Sequence, residues 1–170
     1  SYYYRDPKRA SYLFQMNSFI SRTKLIVDSI GDKPIFTERS VYSDYHCFAK
    51  TCNELGTMND MELLVYEKWF HWLINSFKIN ITGYIYLKTN PEECLNRIKK
   101  RSRNGESGIA LDYLQKLHNK HEEWLLKQPN VLILDGNLDF LNNKEIFKSF
   151  AEKIEKFILE NLKLKIVNFE

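Results

Sequence analysis

Glycine is sparse in this chain, with six in 170 residues, at positions 31, 56, 83, 105, 108 and 136. No pair of them has the GxxxxGK spacing followed by Ser or Thr. The glycine-rich loop that wraps backbone amides around a polyphosphate is therefore missing from this stretch of sequence. Cysteine is sparse too: Cys47, Cys52 and Cys94 are odd in number and follow no metal-ligand spacing. That excludes a disulfide framework and leaves reduced thiols used as small core fillers, as in a cytosolic-type compartment. No apolar run approaches the roughly 20 residues of a membrane span. An excess of one charge is also lacking, since 25 Lys and Arg stand against 22 Asp and Glu, a net +3. A general nucleic-acid binder has a more basic balance. Repeats and linker-like stretches are absent. The chain begins at Ser1 inside sequence that reads as ordered, so any targeting signal would lie upstream.

What is present is the material of a core. Apolar residues make up 44% and aromatics 14% of the chain, which excludes disorder, and the length suits a single domain over 1–170. Ser1–Arg9 is an aromatic and basic lead-in whose Pro7 signals a helix start. Leu13, Phe14, Phe19, Ile20, Ile26, Val27 and Ile30 fit an amphipathic helix that stops at Gly31. Pro34–Phe36 reads as a short buried strand. Val41–Leu55 reads as a helix, and another starts near Asn59 with Asp60 as its cap. Trp69, Phe70, Leu73 and Phe77 give this second helix an apolar stripe of the kind that builds a core or a subunit interface. Gly83–Leu87 reads as the next strand, Pro91 opens a helix, and Leu111–Leu126 is a further one. Val131–Leu134 is a short strand ending in Asp135, and Lys144–Leu164 a closing helix. Strands alternating with helices mean an α/β fold, a parallel sheet wrapped by helices.

The chemistry concentrates at Lys33–Asp44, KPIFTERSVYSD. Glu38 and Arg39 stand where a parallel strand would give way to a loop, the place where open α/β sheets bind ligands. A carboxylate there suits Mg²⁺, and a guanidinium fork suits phosphate oxygens. A plain surface ion pair has the same signature. Gln15 and Arg22, seven apart, share one face of the first helix, as binding groups or as solvent-facing polarity. Arg97, Lys99, Lys100, Arg101 and Arg103 form the one basic cluster, and Gly105, Glu106 and Gly108 follow it. Such a segment is a solvated charged face or a lid able to close over polyphosphate. His118 and His121 lack the partners of a zinc site and read as surface or capping residues.

Four stretches, in order and over nearly the whole chain, resemble one family, the deoxynucleoside kinases. Phe14–Arg22, FQMNSFISR, is similar to that family's base-reading helix, and Glu38–Asp44, ERSVYSD, to its metal and phosphate segment. Arg97–Leu125 resembles its lid and the helix after it, and Leu134–Phe140, LDGNLDF, its adenine-holding loop. The resemblance implies a P-loop nucleoside/nucleotide kinase-like fold, with ATP and Mg²⁺ as cofactors. It implies that Gln15, Arg22 and Asp44 read the nucleobase with Phe48 packed against it, and that Tyr4 and Glu106 hold the sugar 3′-hydroxyl. Glu38 would bind or position Mg²⁺, and Arg39 would contact the reacting 5′-oxygen and phosphoryl group. Arg97, Arg101 and Arg103, in a lid over about 97–108, would steady the transferring phosphoryl group, and Asp139 and Phe140 would border adenine.

Two family elements have no counterpart here: the phosphate loop, and the glutamate after it that takes the proton from the 5′-hydroxyl. The expectation is therefore the C-terminal three-quarters of a kinase, lacking the N-terminal strand and phosphate loop and inactive alone. The whole protein would make deoxynucleoside 5′-monophosphates from ATP in nucleotide salvage. The alternative is a non-catalytic binding or assembly protein that keeps the fold, and a nucleic-acid binder has only the Arg97–Arg103 cluster behind it. A homodimer is implied, with a cytoplasmic or mitochondrial location and neither nucleic acid nor membrane as a partner. Both Arg22 and Asp44 keep their charge, where thymidine-favouring relatives carry smaller or uncharged residues. Ser18 is similar to the deoxyguanosine-kinase version of the helix. Together these imply purine deoxynucleosides or deoxycytidine as substrates.

Overall fold

The computed structural model describes residues 6–31, 34–103, 105–106 and 108–167, the last six by backbone only. Helix α1 (Pro7–Asp28) begins where the Asp6 side chain accepts a hydrogen bond from Arg9 N at 3.2 Å and Pro7 presets the first turn. Its apolar residues do not form one stripe. Phe19 is buried and Met16 and Ile26 pack against the core, whereas Leu13, Phe14, Ile20 and Leu25 are exposed.

The expected Val41–Leu55 helix is present as three joined pieces: α2 (Val41–Ser43), a π-helical segment (Asp44–Ala49) and α3 (Lys50–Glu54). Its start is fixed by a reciprocal pair, Ser43 N donating to Ser40 Oγ at 3.1 Å and Ser40 N to Ser43 Oγ at 3.0 Å. Helix α4 (Asp60–Phe77) is capped by Asn59, not by Asp60. Glu62 N donates to Asn59 Oδ1 at 2.9 Å while Asn59 N donates to Glu62 Oε2 at 2.8 Å. Asp60 instead accepts from Asn53 Nδ2 at 2.9 Å, which ties α4 to α3.

The core lies between these elements, in Phe19, Val41, Tyr45, Ala49, Cys52, Met58, Tyr66, Phe70 and Ile79. Rings fill much of it: Tyr45 stacks on Phe70 at 4.5 Å between centroids, and Phe19 meets Tyr66 at 5.4 Å. The expected α4 stripe divides here. Phe70 is 4% exposed and Leu73 packs against the core, but Trp69 and Phe77 face outward. Neighbouring helical residues point about 100° apart, so Trp69 and Phe70 cannot share a face.

Strands β1 (Tyr84–Lys88) and β2 (Val131–Asp135) pair in parallel, from Tyr84 opposite Val131 to Lys88 opposite Asp135. Helices α5 (Pro91–Arg101) and α6 (Leu111–Leu125) make the crossover that a parallel pair requires, and α7 (Lys144–Val167) follows β2. The β1 and β2 ends meet closely at Gly136, where a Cβ would stand 2.1 Å from Thr89 Oγ1. This family of helices around a parallel sheet is the α/β class expected, with a smaller sheet. Pro34–Phe36 is not a strand: it has no regular structure, and Ile35 and Phe36 are 42% and 66% exposed. An extended apolar run becomes a strand only when a neighbour takes its backbone hydrogen bonds, and among the described residues none does.

Candidate active site

The Glu38–Arg39 corner is built by local geometry. Arg39 has a φ of 63°, in the left-handed region. Lys78 and Ser102 share that conformation, but both end helices, where it is ordinary. Arg39 stands in a loop, a position that costs a residue with a Cβ free energy and is held by its surroundings. Thr37 Oγ1 donates to Arg39 O at 2.8 Å. The Arg39 guanidinium lies over the face of Phe48, 4.3 Å from the ring centroid, in cation–π contact. Both Glu38 and Arg39 remain exposed.

Arg22 joins this corner to the buried interior. Its Nη1 makes a short ion pair with Asp44 Oδ2, and its Nε donates to the Glu38 carbonyl at 3.4 Å. The side chains of Arg22 and Asp44 are 18% and 3% exposed, so the carboxylate is almost wholly desolvated and the guanidinium largely so. Burial pushes the Asp44 carboxyl up from its ordinary range, while Arg22 and the charge of Arg39 pull it back. Gln15, two turns earlier on α1, is buried and donates from Nε2 to Cys52 Sγ at 3.6 Å. Thus Gln15 meets the far end of the Val41–Glu54 helical run and Arg22 its near end, with half-buried Phe48 between them. Cys47 and Cys52 are buried as expected of core fillers, and burial pushes the Cys47 thiol up to about 12.

The basic cluster is less unified than its spacing suggests. Arg97 donates to Glu93 Oε1 at 2.8 Å on its own helix and lies 6.0 Å from the Phe140 ring centroid. Arg101 donates to Glu106 Oε2 at 2.6 Å, so two residues expected on different parts of a substrate are paired with each other. Arg103 is exposed. None of the three is bonded to the Glu38–Arg39 corner. Asp139 accepts from Asn142 Nδ2 at 2.9 Å and closes its own turn, and Phe140 stacks on Phe150 of α7 at 5.6 Å. Tyr4 lies outside the described residues. Among the described residues no group of three or more His, Cys, Asp and Glu side chains forms a metal cluster.

Residues outside the set the sequence points to adjoin Phe48 at this corner or stack behind it. His121 is neither a surface nor a capping residue: it is half-buried, meets Phe48 edge-on at 5.9 Å, and stacks with Tyr86 of β1 at 6.2 Å. Lys88, at the end of β1, donates to Glu122 Oε2 at 2.5 Å. Burial disfavours the Glu122 carboxylate, but hydrogen bonds from Lys88 and Tyr86 outweigh it and hold the carboxyl below its usual range. The one available signal was position: Tyr86 and Lys88 alternate along a strand, and His121 and Glu122 lie on the helix crossing it. A separate cavity of about 350 Å³ lies beyond the site, lined by Tyr42, His46, Tyr84, Trp124 and Asn130 among others.

Comparison with known proteins settles the class. The family model described as "Deoxynucleoside kinase" matches residues 1–159. The chain belongs to the deoxynucleoside kinase family. It is 39% identical over 175 aligned residues to deoxycytidine kinase of Rattus norvegicus, covering 91% of this chain and 66% of that protein. It is 37% identical over 166 residues to a probable deoxycytidine kinase of Fowlpox virus, covering 92% and 70%. It is 37% identical over 175 residues to the mitochondrial deoxyguanosine kinase of Xenopus laevis, covering 91% and 66%. The chain thus spans about two thirds of the length of the rat and frog relatives.

Proposed function

We propose that this chain carries the nucleoside-binding and lid portion of a deoxynucleoside kinase, which transfers the γ-phosphate of ATP to the 5′-hydroxyl of a deoxynucleoside. The observation that carries the reading is the Arg22 guanidinium, which bonds Asp44 on one side and the Glu38 carbonyl on the other. One side chain thereby fixes the distance between a buried, charged recognition pair and an exposed carboxylate–guanidinium corner. The base lies against Phe48, with Gln15 offering amide donor and acceptor and the Arg22–Asp44 pair offering both signs of charge. Arg39 presents its fork to the 5′-oxygen and the phosphoryl oxygens, and Arg97, Arg101 and Arg103 approach the same charge when the lid closes. Glu106 leaves Arg101 for the sugar in that closed arrangement, together with Tyr4. Asp139 and Phe140 border the adenine of ATP.

Glu38 fits a magnesium ion: its carboxylate is exposed and has no partner among the described residues. Mg²⁺ takes one or two protein carboxylates and completes its shell with water and phosphate oxygens. When bound, the ion neutralises charge on the transferring phosphates.

A scaffold protein that had lost catalysis has no physical need to keep Arg39 at a φ of 63° above an aromatic face. Strain of that kind persists where it positions a group. We further infer that residues 1–170 do not themselves supply a cradle for the ATP phosphates, since no pair of glycines among them has the phosphate-loop spacing. The expected result is that the protein extended upstream converts deoxynucleosides and ATP to 5′-monophosphates and ADP, read by chromatography, while residues 1–170 alone convert none. An inactive extended protein, or turnover by residues 1–170, overturns the reading. A deoxynucleoside 5′-monophosphate product would serve nucleotide salvage for DNA precursors.

The outward faces of α1 and α4 suit a second copy. Leu13, Ile20 and Leu25 on one helix, and Met61, Leu64, Trp69 and Trp72 on the other, are exposed large apolar residues on elements that pack together. The extended protein is therefore expected to sediment as a homodimer, and Trp72→Glu to shift it to monomer; wild-type protein that stays monomeric across concentrations would contradict this. Among the described residues no helix is long and apolar enough to cross a membrane. Neither a membrane nor nucleic acid is proposed as a partner, and the cytoplasm is the proposed location, with mitochondria the other candidate.

A further inference from the structure

The half-buried histidine on α6 is given no task by the reading above. His121 Nδ1 lies 2.7 Å from the Leu117 carbonyl, so the neutral ring carries its proton there and leaves Nε2 as the lone-pair end. Nε2 has no hydrogen-bond partner among the described residues. The ring is clamped between two others. Its plane is 11° from that of Tyr86, and it meets Phe48 at 86°. Phe48 in turn carries the Arg39 guanidinium on its face at 4.3 Å. A chain of contacts therefore runs from the Leu117 carbonyl through His121 and Phe48 to Arg39, whose own backbone sits in the left-handed region.

We propose that His121 is the positioning residue for Arg39: it fixes the Phe48 ring edge-on, and that ring holds the guanidinium at the corner where the phosphoryl group passes. Resting on the kinase reading, this adds a residue that touches neither substrate nor phosphate. An arginine held only by solvent explores many rotamers, and a misplacement of about 1 Å can cost roughly a hundredfold in rate. The aromatic shelf removes that freedom.

The charge state of His121 matters for the same reason. The groups facing it are Arg39 from the loop, Tyr86 from β1, and His118 and Glu122 from its own helix. Glu122 is already engaged by Lys88. Burial, Arg39 and His118 all disfavour a charged imidazole and outweigh the Leu117 carbonyl and Glu122, which favour it. Protonation as the pH falls below the usual histidine range would place a second cation beside Arg39 and displace the guanidinium.

The test uses kinetics of the extended protein. His121→Ala is expected to lower kcat roughly 10- to 100-fold, with nucleoside KM rising by a smaller factor because the base also rests on Phe48. His121→Phe, which keeps a ring against Phe48, is expected to recover most of kcat and to lose the part of the acid fall in kcat that is due to His121. In a Phe48→Leu background His121→Ala is expected to have little further effect, because its path to Arg39 is already cut. Wild-type kinetics in His121→Ala, or fully additive losses in the double variant, would overturn the proposal. If His121→Ala fails to fold, the comparison of acid limbs between His121→Phe and wild type decides it, an unchanged limb counting against it. Failure of the kinase reading looks different, since the wild-type protein would then form no monophosphate.

Discussion

Arg39→Lys is expected to lower kcat of the extended protein by roughly 10²–10³-fold while leaving nucleoside KM within about twofold. Lysine keeps the positive charge, so a general electrostatic role would survive the change. What it lacks is the planar fork that contacts two oxygens together and lies flat on an aromatic ring. Both properties are used here: the guanidinium rests on Phe48 at 4.3 Å, and that contact sets where its remaining donors point. Lysine on the left-handed backbone would place a single, mobile ammonium near the same spot. The loss corresponds to about 3–4 kcal/mol of transition-state stabilisation, the order of one preorganised donor. Single-turnover rates with saturating ATP and nucleoside measure it. A wild-type rate would remove Arg39 from the chemistry.

The second large effect concerns Arg22 and Asp44. Asp44→Ala alone is expected to destabilise the fold by about 3 kcal/mol, the lower end for breaking a buried ion pair, because Arg22 retains some access to solvent. Arg22→Met is expected to be comparably harmful, since it strands a carboxylate that is 3% exposed and that burial already disfavours. The double variant should regain much of the loss, since no buried charge is left unpaired. Specificity should move as well. A charged pair complementary to one base edge leaves groups unpaired against another, at about 1–3 kcal/mol each. Removing both charges also opens room beside the base, so thymidine use should rise and purine use fall. Urea midpoints of the three variants and specificity constants for four deoxynucleosides check both halves. Additive destabilisation, or a native preference for thymidine, would contradict this account of the pocket.

The regular elements were legible where their signals are local. Pro7, Pro91 and Gly56 punctuate helices whose apolar spacing is plain, and the two short β-rich runs pair in parallel as alternation with helices suggests. Pro34–Phe36 failed because a strand is a relation between chain segments, and its own composition says nothing of a partner. The apolar spacing of helix α1 predicts a one-sided helix, yet its apolar residues divide between the core and an outward face. The capping of α4 moved by one residue because Asp60 is drawn to Asn53, a contact between elements. The candidate site shows the same limit. Arg22 and Asp44 were named through a resemblance, and the structure shows them bonded. The partnership of Arg101 with Glu106, the sulfur contact of Gln15 and the ring sequence from His121 to Arg39 depend on tertiary placement and have no sequence period.

The most direct measurement is a crystal structure of the extended protein with deoxyguanosine and ADP. The expected result is a base lying against Phe48 within hydrogen-bond reach of Gln15, Arg22 and Asp44, with the 5′-oxygen beside Arg39. A nucleoside seated instead in the cavity between Tyr42, His46 and Trp124, with the Arg22–Asp44 pair untouched, would contradict the assignment of the site.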